Sequence, residues 1–145
     1  MDTTRIRPIA ICLFRHENRI LLSEGFDTIK QTYFYRPLGG GIEYGESSRE
    51  AIVREVQEEL AAEIENVQLI DVLENIFIYQ GRQGHEIVFV FDAEFSDKSL
   101  YELDEIDAYE QEANVRFKAK WHSLDELEKK GGKLVPENLA KSLIR

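Results

Sequence analysis

The feature that most constrains the fold is a glycine-rich segment followed directly by a capped helix. Pro37 and the three glycines Gly39–Gly41 end a short aromatic strand, because neither proline nor glycine sustains a regular strand. Ser47 or Ser48 can then cap a helix that runs to about Leu60. The chain must therefore place a sharp turn and the start of a helix next to the end of a strand.

The two faces of this helix predict different roles. At 100° per residue the apolar residues share one stripe, which we expect to face a sheet: Ile52, Val53, Val56 and Leu60. The carboxylates Glu55, Glu58 and Glu59 fall outside the stripe and are expected to face away from the sheet. Glu55 precedes the other two by three and four residues, a spacing at which like charges repel by roughly 0.2–0.5 kcal/mol per pair.

Two interpretations of the acidic face remain open. It is either the solvated face of an ordinary amphipathic helix or a site where a divalent cation removes the repulsion. Mg²⁺ binds carboxylate and carbonyl oxygens, keeps several waters and often binds substrate phosphates as well. The glycines before the helix allow close backbone approach to such a site. Arg54, four residues before Glu58, has the spacing of a salt bridge that orients a carboxylate.

The rest of the chain predicts many strands and few helices. Ser123 caps a short helix to Lys130, and Pro136 can open a last helix. Apolar, aromatic or alternating segments predict strands at 6–14, 19–22, 33–35, 67–79, 86–91 and 115–121. Helices that cover the faces of such strands indicate an α/β layered sandwich on a mixed sheet. The length of 145 residues corresponds to one domain.

The charged residues after the glycines have the spacing of a known signature. Gly40 is followed after five residues by Glu46, and after seven more by the run Arg54-Glu55-Val56-Gln57-Glu58-Glu59. This segment, Gly40 to Ala62, resembles the Nudix box of the Nudix hydrolases. Ala61 departs from the pattern, since the family usually has a glycine there that helps the helix to end. The resemblance implies a Nudix-type α/β/α sandwich with a mixed β-sheet, as a single Nudix hydrolase domain over residues 1–145.

The resemblance also implies an activity. Nudix hydrolases cleave a diphosphate bond in a nucleoside diphosphate linked to another moiety, in a divalent-metal-dependent reaction. For this chain it favours a nucleoside triphosphate or a dinucleoside polyphosphate as the substrate and Mg²⁺ as the cofactor, with Mn²⁺ as an alternative. The alternative function is a non-catalytic Nudix-like module that binds or senses a nucleotide.

The box residues take their implied roles from the same resemblance. The metal ligands would be Glu55, Glu58, Glu59 and the carbonyl of Gly39. The catalytic residues would be Glu55, Glu58 and Arg54, with Glu55 also able to orient or deprotonate the attacking water. Nudix enzymes differ in which carboxylate is the general base, so the identity of the base stays open.

Three residues outside the box are candidates for substrate binding. Arg36 and Tyr35 come just before the glycines, where Nudix strands often border the substrate. Tyr79 lies at the distance downstream of the box at which dinucleoside polyphosphate hydrolases carry a tyrosine. The proline that marks ADP-ribose hydrolases is missing, because position 77 is Phe77. For the aromatic residues, packing in the sheet is the alternative.

Two further groups of polar residues carry open alternatives. Glu110 and Glu112 lie where many Nudix enzymes contribute one more carboxylate, but their acidic segment from Glu94 onward otherwise predicts a solvated loop. His85 and Glu86 start an apolar strand, so we expect a hydrogen-bonded pair at the strand end, with a catalytic role as the alternative.

The net charge of −10 limits the partners of the chain. The segment Gly40 to Ala62 has six acidic and two basic residues, and Glu94 to Glu112 has eight and one, so these two segments carry the imbalance. Such a chain is expected to bind a small nucleotide through cations and not to bind bare nucleic acid directly. The single cysteine, Cys12, lies in an apolar run and predicts an inert buried thiol.

No apolar run approaches the length of a membrane span. We therefore expect a cytoplasmic protein without a membrane partner. Edge strands of the predicted sheet leave a homodimer open.

Overall fold

The structure, a computed structural model, describes residues 4–143. In chain order, the elements within these residues are β1 Ile6–Leu13, β2 Arg15–His16, β3 Arg19–Asp27, β4 Thr32–Arg36, β5 Leu38–Gly41, α1 Ser48–Leu60, β6 Ile64–Tyr79, β7 Arg82–Phe95, a 3₁₀ turn Lys98–Glu102, β8 Glu105–Glu110, β9 Val115–His122, α2 Leu124–Lys129, β10 Lys133–Leu134 and α3 Leu139–Ser142. None of the helices in residues 4–143 has the length and hydropathy needed to cross a bilayer.

The strands form two sheets. The first has four strands in the order β5-β1-β7-β6, in which β1 runs parallel to β7 and the other neighbours are antiparallel. The second follows the order β10-β4-β3-β9-β8, with β2 paired to β3. The α/β architecture with a mixed sheet is therefore confirmed, and the strands that the sequence predicted divide between the two sheets.

Helix α1 has defined ends that agree with the sequence. The Ser47 hydroxyl accepts a hydrogen bond from the Glu50 backbone N–H at 3.1 Å, and the Glu50 carboxylate accepts one from the Ser47 N–H at 3.0 Å. This reciprocal capping box satisfies two N–H groups that would otherwise lack partners. At the other end Ala61 has φ 52° and ψ 39°, and its N–H donates to the Gln57 carbonyl at 2.9 Å. The residue that replaces the expected glycine is thus the one that adopts the left-handed conformation.

The buried face of α1 differs from the predicted stripe. Val53 is 43% exposed, whereas Glu59 is only 7% exposed and lies among buried residues of the helix. The prediction that all three carboxylates face away from the sheet is therefore wrong. The reason is that α1 contacts β5 and β1 of the first sheet and also β8 of the second, so that a wider arc of the helix is covered than one sheet would cover.

The two faces of the first sheet pack against different helices. Cys12 and Val56 belong to one hydrophobic cluster, on the side of α1. Ile11, the neighbour of Cys12 on β1, belongs to a second cluster with Leu127 of α2 and Leu139 of α3. Successive residues of a strand face opposite ways, so helices lie on both sides of the sheet. Cys12 is fully buried, which confirms the predicted burial, and this burial raises the pKa of its thiol well above the usual value.

The acidic segment Glu94 to Glu112 is largely not a loop. Its middle forms β8, which pairs antiparallel with β9 and buries Ile106 and Ala108. Lys118 on β9 pairs with Asp107, and it lies 3.6 Å from Glu105. The solvated-loop prediction is wrong here because cross-strand lysines offset the negative charges, and the alternating apolar residues Ile106 and Ala108 bury one face of the strand.

Candidate active site

A cleft of about 490 Å³ lies between α1, the start of β1, the residues after β5 and the turn that follows β8. Four residues that the sequence singled out line it together: Arg54, Glu55, Glu58 and Glu59. Glu110 and Glu112, the candidates for a further carboxylate, also line this cleft. The acidic face of the helix and the acidic segment on β8 therefore meet at one place.

Arg54 is the hub of the polar contacts in the cleft. Its Nε and Nη2 donate to the two carboxylate oxygens of Glu46, at 2.7 and 2.9 Å. Its Nη1 donates to Glu55 at 2.9 Å and to Glu58 at 3.2 Å, and Nη2 also donates to the Gly41 carbonyl at 2.9 Å. A guanidinium with this many acceptors is held in one orientation, and it holds Glu55 and Glu58 in turn.

Glu59 is the most deeply buried carboxylate of the cleft. Its Oε1 accepts a hydrogen bond from the Gly39 backbone N–H at 3.0 Å. Burial, together with the negative charges of Glu55 and Glu110, raises the pKa of Glu59 to about 8, against the opposing effects of the Gly39 hydrogen bond and the positive charge of Arg36. The site thus contains a carboxylate whose charge is disfavoured unless a cation comes close.

The glycines before the helix are required by close contacts. Gly39 has φ 148°, and a Cβ there would collide with the backbone carbonyl of Ala10. A Cβ on Gly40 would lie 2.5 Å from the Glu55 carboxyl carbon. Glu55 is partly buried at this contact with β5. Its burial raises the pKa of its carboxyl group, and the hydrogen bond from Arg54 opposes the rise. The glycines therefore let β5 approach the carboxylates of α1 without intervening side chains.

None of the three predicted substrate-binding residues, Arg36, Tyr35 and Tyr79, lines the cleft. Arg36 is exposed at the end of β4, and its charge acts on Glu59. Tyr35 is 2% exposed, and its hydroxyl donates to Glu24 at 2.7 Å in the cluster that covers the other face of the first sheet. Tyr79, near the tip of the β6–β7 hairpin, packs against Phe34 with ring centroids 5.5 Å apart. Tyr35 and Tyr79 thus have packing roles in this structure and do not line the cleft.

His85 and Glu86 lie at the start of β7 and do not line the cleft either. Glu86 accepts a hydrogen bond from Asn75 on β6 at 3.4 Å, so its described partner is across the hairpin and not the neighbouring histidine.

Sequence reasoning missed several residues that line the cleft. Arg5 and Arg7, at the start of β1, and Tyr109, at the end of β8, contribute to it. The alternation of Arg5 and Arg7 was visible in the sequence. This alternation did not indicate a functional site, because the distance between β1 and α1 depends on the order of the strands in the sheet.

The chain matches one known protein family over most of its length. The model of the NUDIX domain matches residues 4–142, nearly the whole chain. The chain belongs to the Nudix family. Its fold agrees with solved Nudix structures, among them a Nudix hydrolase from Nitrosomonas europaea at a TM-score of 0.66 and 16% identity, covering 97% of this chain and 87% of that one. A MutT Nudix hydrolase from Burkholderia pseudomallei gives 0.61 at 23% identity, covering 85% and 87%.

Curated relatives of this Nudix domain are longer proteins. The NAD-capped RNA hydrolase NudC of Pseudomonas putida strain KT2440 is 32% identical over 128 residues, which are 85% of this chain and 38% of that protein. The chain therefore spans less than half the length of the curated relatives that it matches.

The donor set of this Nudix domain fits a divalent metal ion, which the family generally uses. Glu55, Glu58, Glu59 and Glu110 present carboxylate oxygens to one cleft, and hard cations bind such oxygens. Burial and the negative charges of Glu55 and Glu110 raise the pKa of Glu59, and a cation close to its carboxylate would oppose both effects. Within residues 4–143 no three acidic, histidine or cysteine side chains already converge on one metal position. A cation would therefore compete with Arg54 for Glu55 and Glu58.

Proposed function

We propose that this Nudix domain is a divalent-metal-dependent pyrophosphohydrolase that cleaves a diphosphate bond in a nucleoside diphosphate linked to another moiety. Nucleoside triphosphates and dinucleoside polyphosphates are its favoured substrates. The observation that carries the proposal is the meeting of Glu55, Glu58, Glu59 and Glu110 in one cleft around an oriented Arg54. A solvated acidic helix face would not bury Glu59 or fix an arginine among the carboxylates.

The metal-holding residues would be Glu55, Glu58 and Glu59, with the Gly39 carbonyl as a further ligand. Mg²⁺ is the proposed ion and Mn²⁺ the substitute, since both accept oxygen ligands. When bound, such an ion neutralises phosphate charge and lowers the pKa of a water that attacks phosphorus. The Gly39 N–H keeps one oxygen of Glu59 fixed, so that this carboxylate is already oriented before a ligand arrives.

The remaining chemistry falls to residues of the cleft. Arg54 positions Glu55 and Glu58 through its 2.9 and 3.2 Å hydrogen bonds. Glu55, whose pKa burial raises, is suited to orient the attacking water and accept its proton. Glu58 is the second candidate for the general base. The activities of Glu55→Gln and Glu58→Gln, measured separately, distinguish the two candidates.

The substrate class of the relatives widens the panel that must be tested. Relatives carry the name NAD-capped RNA hydrolase. NAD contains a diphosphate between two nucleosides, so it belongs to the proposed class by its chemistry. A hydrolysis screen should therefore include nucleoside triphosphates, dinucleoside polyphosphates, sugar nucleotides, ADP-ribose, NAD and 5′-capped RNA.

The screen is run on the wild type, Glu59→Gln and Glu63→Gln, with Mg²⁺, with Mn²⁺ and with EDTA. Glu63 is an exposed glutamate just beyond α1 and serves as the matched control. We expect turnover in the wild type and the control, and loss of at least a hundredfold in Glu59→Gln and in EDTA. Equal activity of the two variants would refute the site. Tight nucleotide binding by a wild type that hydrolyses nothing on the panel would support the sensing module instead.

We also propose that two copies of the chain pair through β6. This strand is the 16-residue edge of the first sheet, and an edge strand offers unpaired backbone groups to a second strand. Val72, Ile76 and Ile78 on it are between 47% and 61% exposed. Light scattering at micromolar concentrations should give a dimer in the wild type and a monomer in Ile76→Lys. A monomeric wild type would refute the pairing.

A further inference from the structure

Two arginines of the cleft have no assigned role. Arg5 directly precedes β1, Arg7 is its second residue, and both residues line the same cleft as the carboxylates. Both residues are exposed, and neither makes a side-chain hydrogen bond or ion pair with any residue in the part of the chain from 4 to 143. Arg54, the third arginine of the cleft, is fully occupied by Glu46, Glu55, Glu58 and the Gly41 carbonyl. The cleft therefore contains two cations that the described protein leaves available.

The positions of the glycines place Arg7 beside the carboxylate site. A Cβ on Gly40 would contact the carboxylate of Glu55, and a Cβ on Gly41 would lie 3.5 Å from Nη2 of Arg7. Successive residues of a strand point to opposite faces, so Glu55 and Arg7 flank β5 from its two sides, one residue apart. Because β5 is the edge strand of its sheet, a ligand that crosses this edge reaches both groups.

The charges of the cleft explain why an anion is the expected ligand of these arginines. A guanidinium forms two parallel hydrogen bonds with a phosphate and keeps its charge at all physiological pH values. Six carboxylates line the same cleft, yet none lies within ion-pair distance of Arg5 or Arg7 in the described structure. The two guanidinium groups therefore form no ion pair with these carboxylates within residues 4–143.

We propose that Arg5 and Arg7 form a subsite for an anionic group of the substrate outside the scissile diphosphate, such as the additional phosphate of a nucleoside triphosphate or dinucleoside polyphosphate. This inference rests on the proposed function and names the substrate feature that the cleft selects. The carboxylates hold the scissile diphosphate through cations, and the arginines hold the next phosphate across the edge of β5. Arg5 and Arg7 are substrate-binding residues that set specificity and take no part in bond cleavage.

The test measures binding separately from cleavage. Isothermal titration calorimetry with Mg²⁺ uses two probes: an adenosine triphosphate analogue with non-hydrolysable bridges at both anhydride positions, and α,β-methylene-ADP. We expect the wild type to bind the triphosphate analogue more tightly. Arg5→Gln and Arg7→Gln should each weaken that binding about tenfold, the loss of one charge-assisted contact, and should change binding of the diphosphate analogue by less than twofold. Arg7→Lys should restore part of the loss, since it keeps the charge without the fork.

The matched control is Arg82→Gln, an exposed arginine at the β6–β7 hairpin, which should bind both probes as the wild type does. Circular dichroism checks that the variants fold. A wild type without preference for the triphosphate probe, an unchanged preference in the Arg5→Gln/Arg7→Gln double variant, or equal losses for both probes would each overturn the subsite.

The same variants separate this inference from the proposed function. If the wild type hydrolyses the panel and the double variant keeps the triphosphate preference in KM, the subsite fails and the pyrophosphohydrolase stands. If the wild type hydrolyses nothing but the arginine variants lose the triphosphate probe, the pyrophosphohydrolase fails and the subsite stands.

Discussion

Arg54 on α1 holds Glu46 in the preceding loop with two parallel hydrogen bonds, at 2.7 and 2.9 Å. The side chain of Glu46 is 15% exposed, and the same carboxylate accepts the Glu43 N–H at 3.1 Å. The pair therefore fixes the loop between β5 and α1 and orients the guanidinium that contacts Glu55 and Glu58. Glu46 does not line the cleft, yet its pair with Arg54 orients the side chains of Glu55 and Glu58 that do.

The Glu46 pair should make stability depend on acid pH. Its hydrogen bonds to Arg54 lower the pKa of Glu46 to about 2 in the folded state, from 4.5 in the unfolded chain. A lowered folded pKa stabilises the protein above pH 4.5 and loses that stabilisation as the pH falls towards 2. Glu46→Gln should reduce the free energy of unfolding by about 2 kcal/mol at pH 7, the scale of a charge-assisted hydrogen bond. The difference from the wild type should shrink as pH falls below 4.5, as followed by urea unfolding.

Glu43→Gln is the control for this measurement. Glu43 lies 3.9 Å from Arg54 and its side chain is 70% exposed, so its loss should change stability by a few tenths of a kcal/mol. A Glu46→Gln deficit that stays constant between pH 7 and pH 3 would contradict the assignment.

Ala61→Gly should stabilise the fold. Ala61 has φ 52°, and a residue with a Cβ pays roughly 1–2 kcal/mol in the left-handed region. Glycine loses about 0.4–1 kcal/mol of this gain through the entropy of the unfolded chain. We expect a net gain of about 0.5–1 kcal/mol and a Tm higher by a few degrees, measured by calorimetry. Ala62→Gly, at a buried neighbour without positive φ, should lower Tm, and a lower Tm for both variants would argue against the strain at Ala61.

Gly40→Ala should impair catalysis more than folding. The added methyl would lie 2.5 Å from the carboxyl carbon of Glu55, so this side chain must move from its place beside Arg54. We expect kcat on the preferred substrate to fall at least tenfold, with the circular dichroism spectrum unchanged. Gly41→Ala adds the same methyl one residue later, where the nearest atom is Nη2 of Arg7 at 3.5 Å, an ordinary contact. Equal kcat losses in the two variants would show that the Glu55 contact is not the cause.

Glu59→Gln should increase stability while it removes activity. Glu59 is buried next to the charges of Glu55 and Glu110, and a neutral amide of the same shape can still accept the Gly39 hydrogen bond. In EDTA at pH 8 we expect the free energy of unfolding to rise by roughly 1–3 kcal/mol, the scale of relieving an uncompensated buried group. Excess Mg²⁺ should stabilise the wild type more than the variant. A variant less stable than the wild type in EDTA would mean that Glu59 has a structural partner.

The local elements of the chain were largely readable from the sequence. The capped helix from Ser47 to Leu60, the strands around it and the burial of Cys12 follow from capping residues and apolar patterns that act over a few neighbours. Helical periodicity wrongly predicted that Glu59 is exposed. A single apolar stripe is expected for a helix that one sheet covers, whereas both sheets contact α1. The density of negative charge wrongly predicted a loop where β8 forms. The lysine that offsets Glu105 and Asp107 lies on β9, ten or more residues later in the chain.

The sequence by itself determined the family and the residues of the acidic face of α1, since the spacing from Gly40 to Glu59 is a local property of the chain. Only the tertiary structure decided which other groups join them. The order of the sheet brings Arg5 and Arg7 to the carboxylates, and the pairing of β8 with β9 brings Glu110. It also places Tyr35 and Tyr79 away from the cleft. These neighbours depend on long-range strand pairing, for which periodicity within a single segment contains no information.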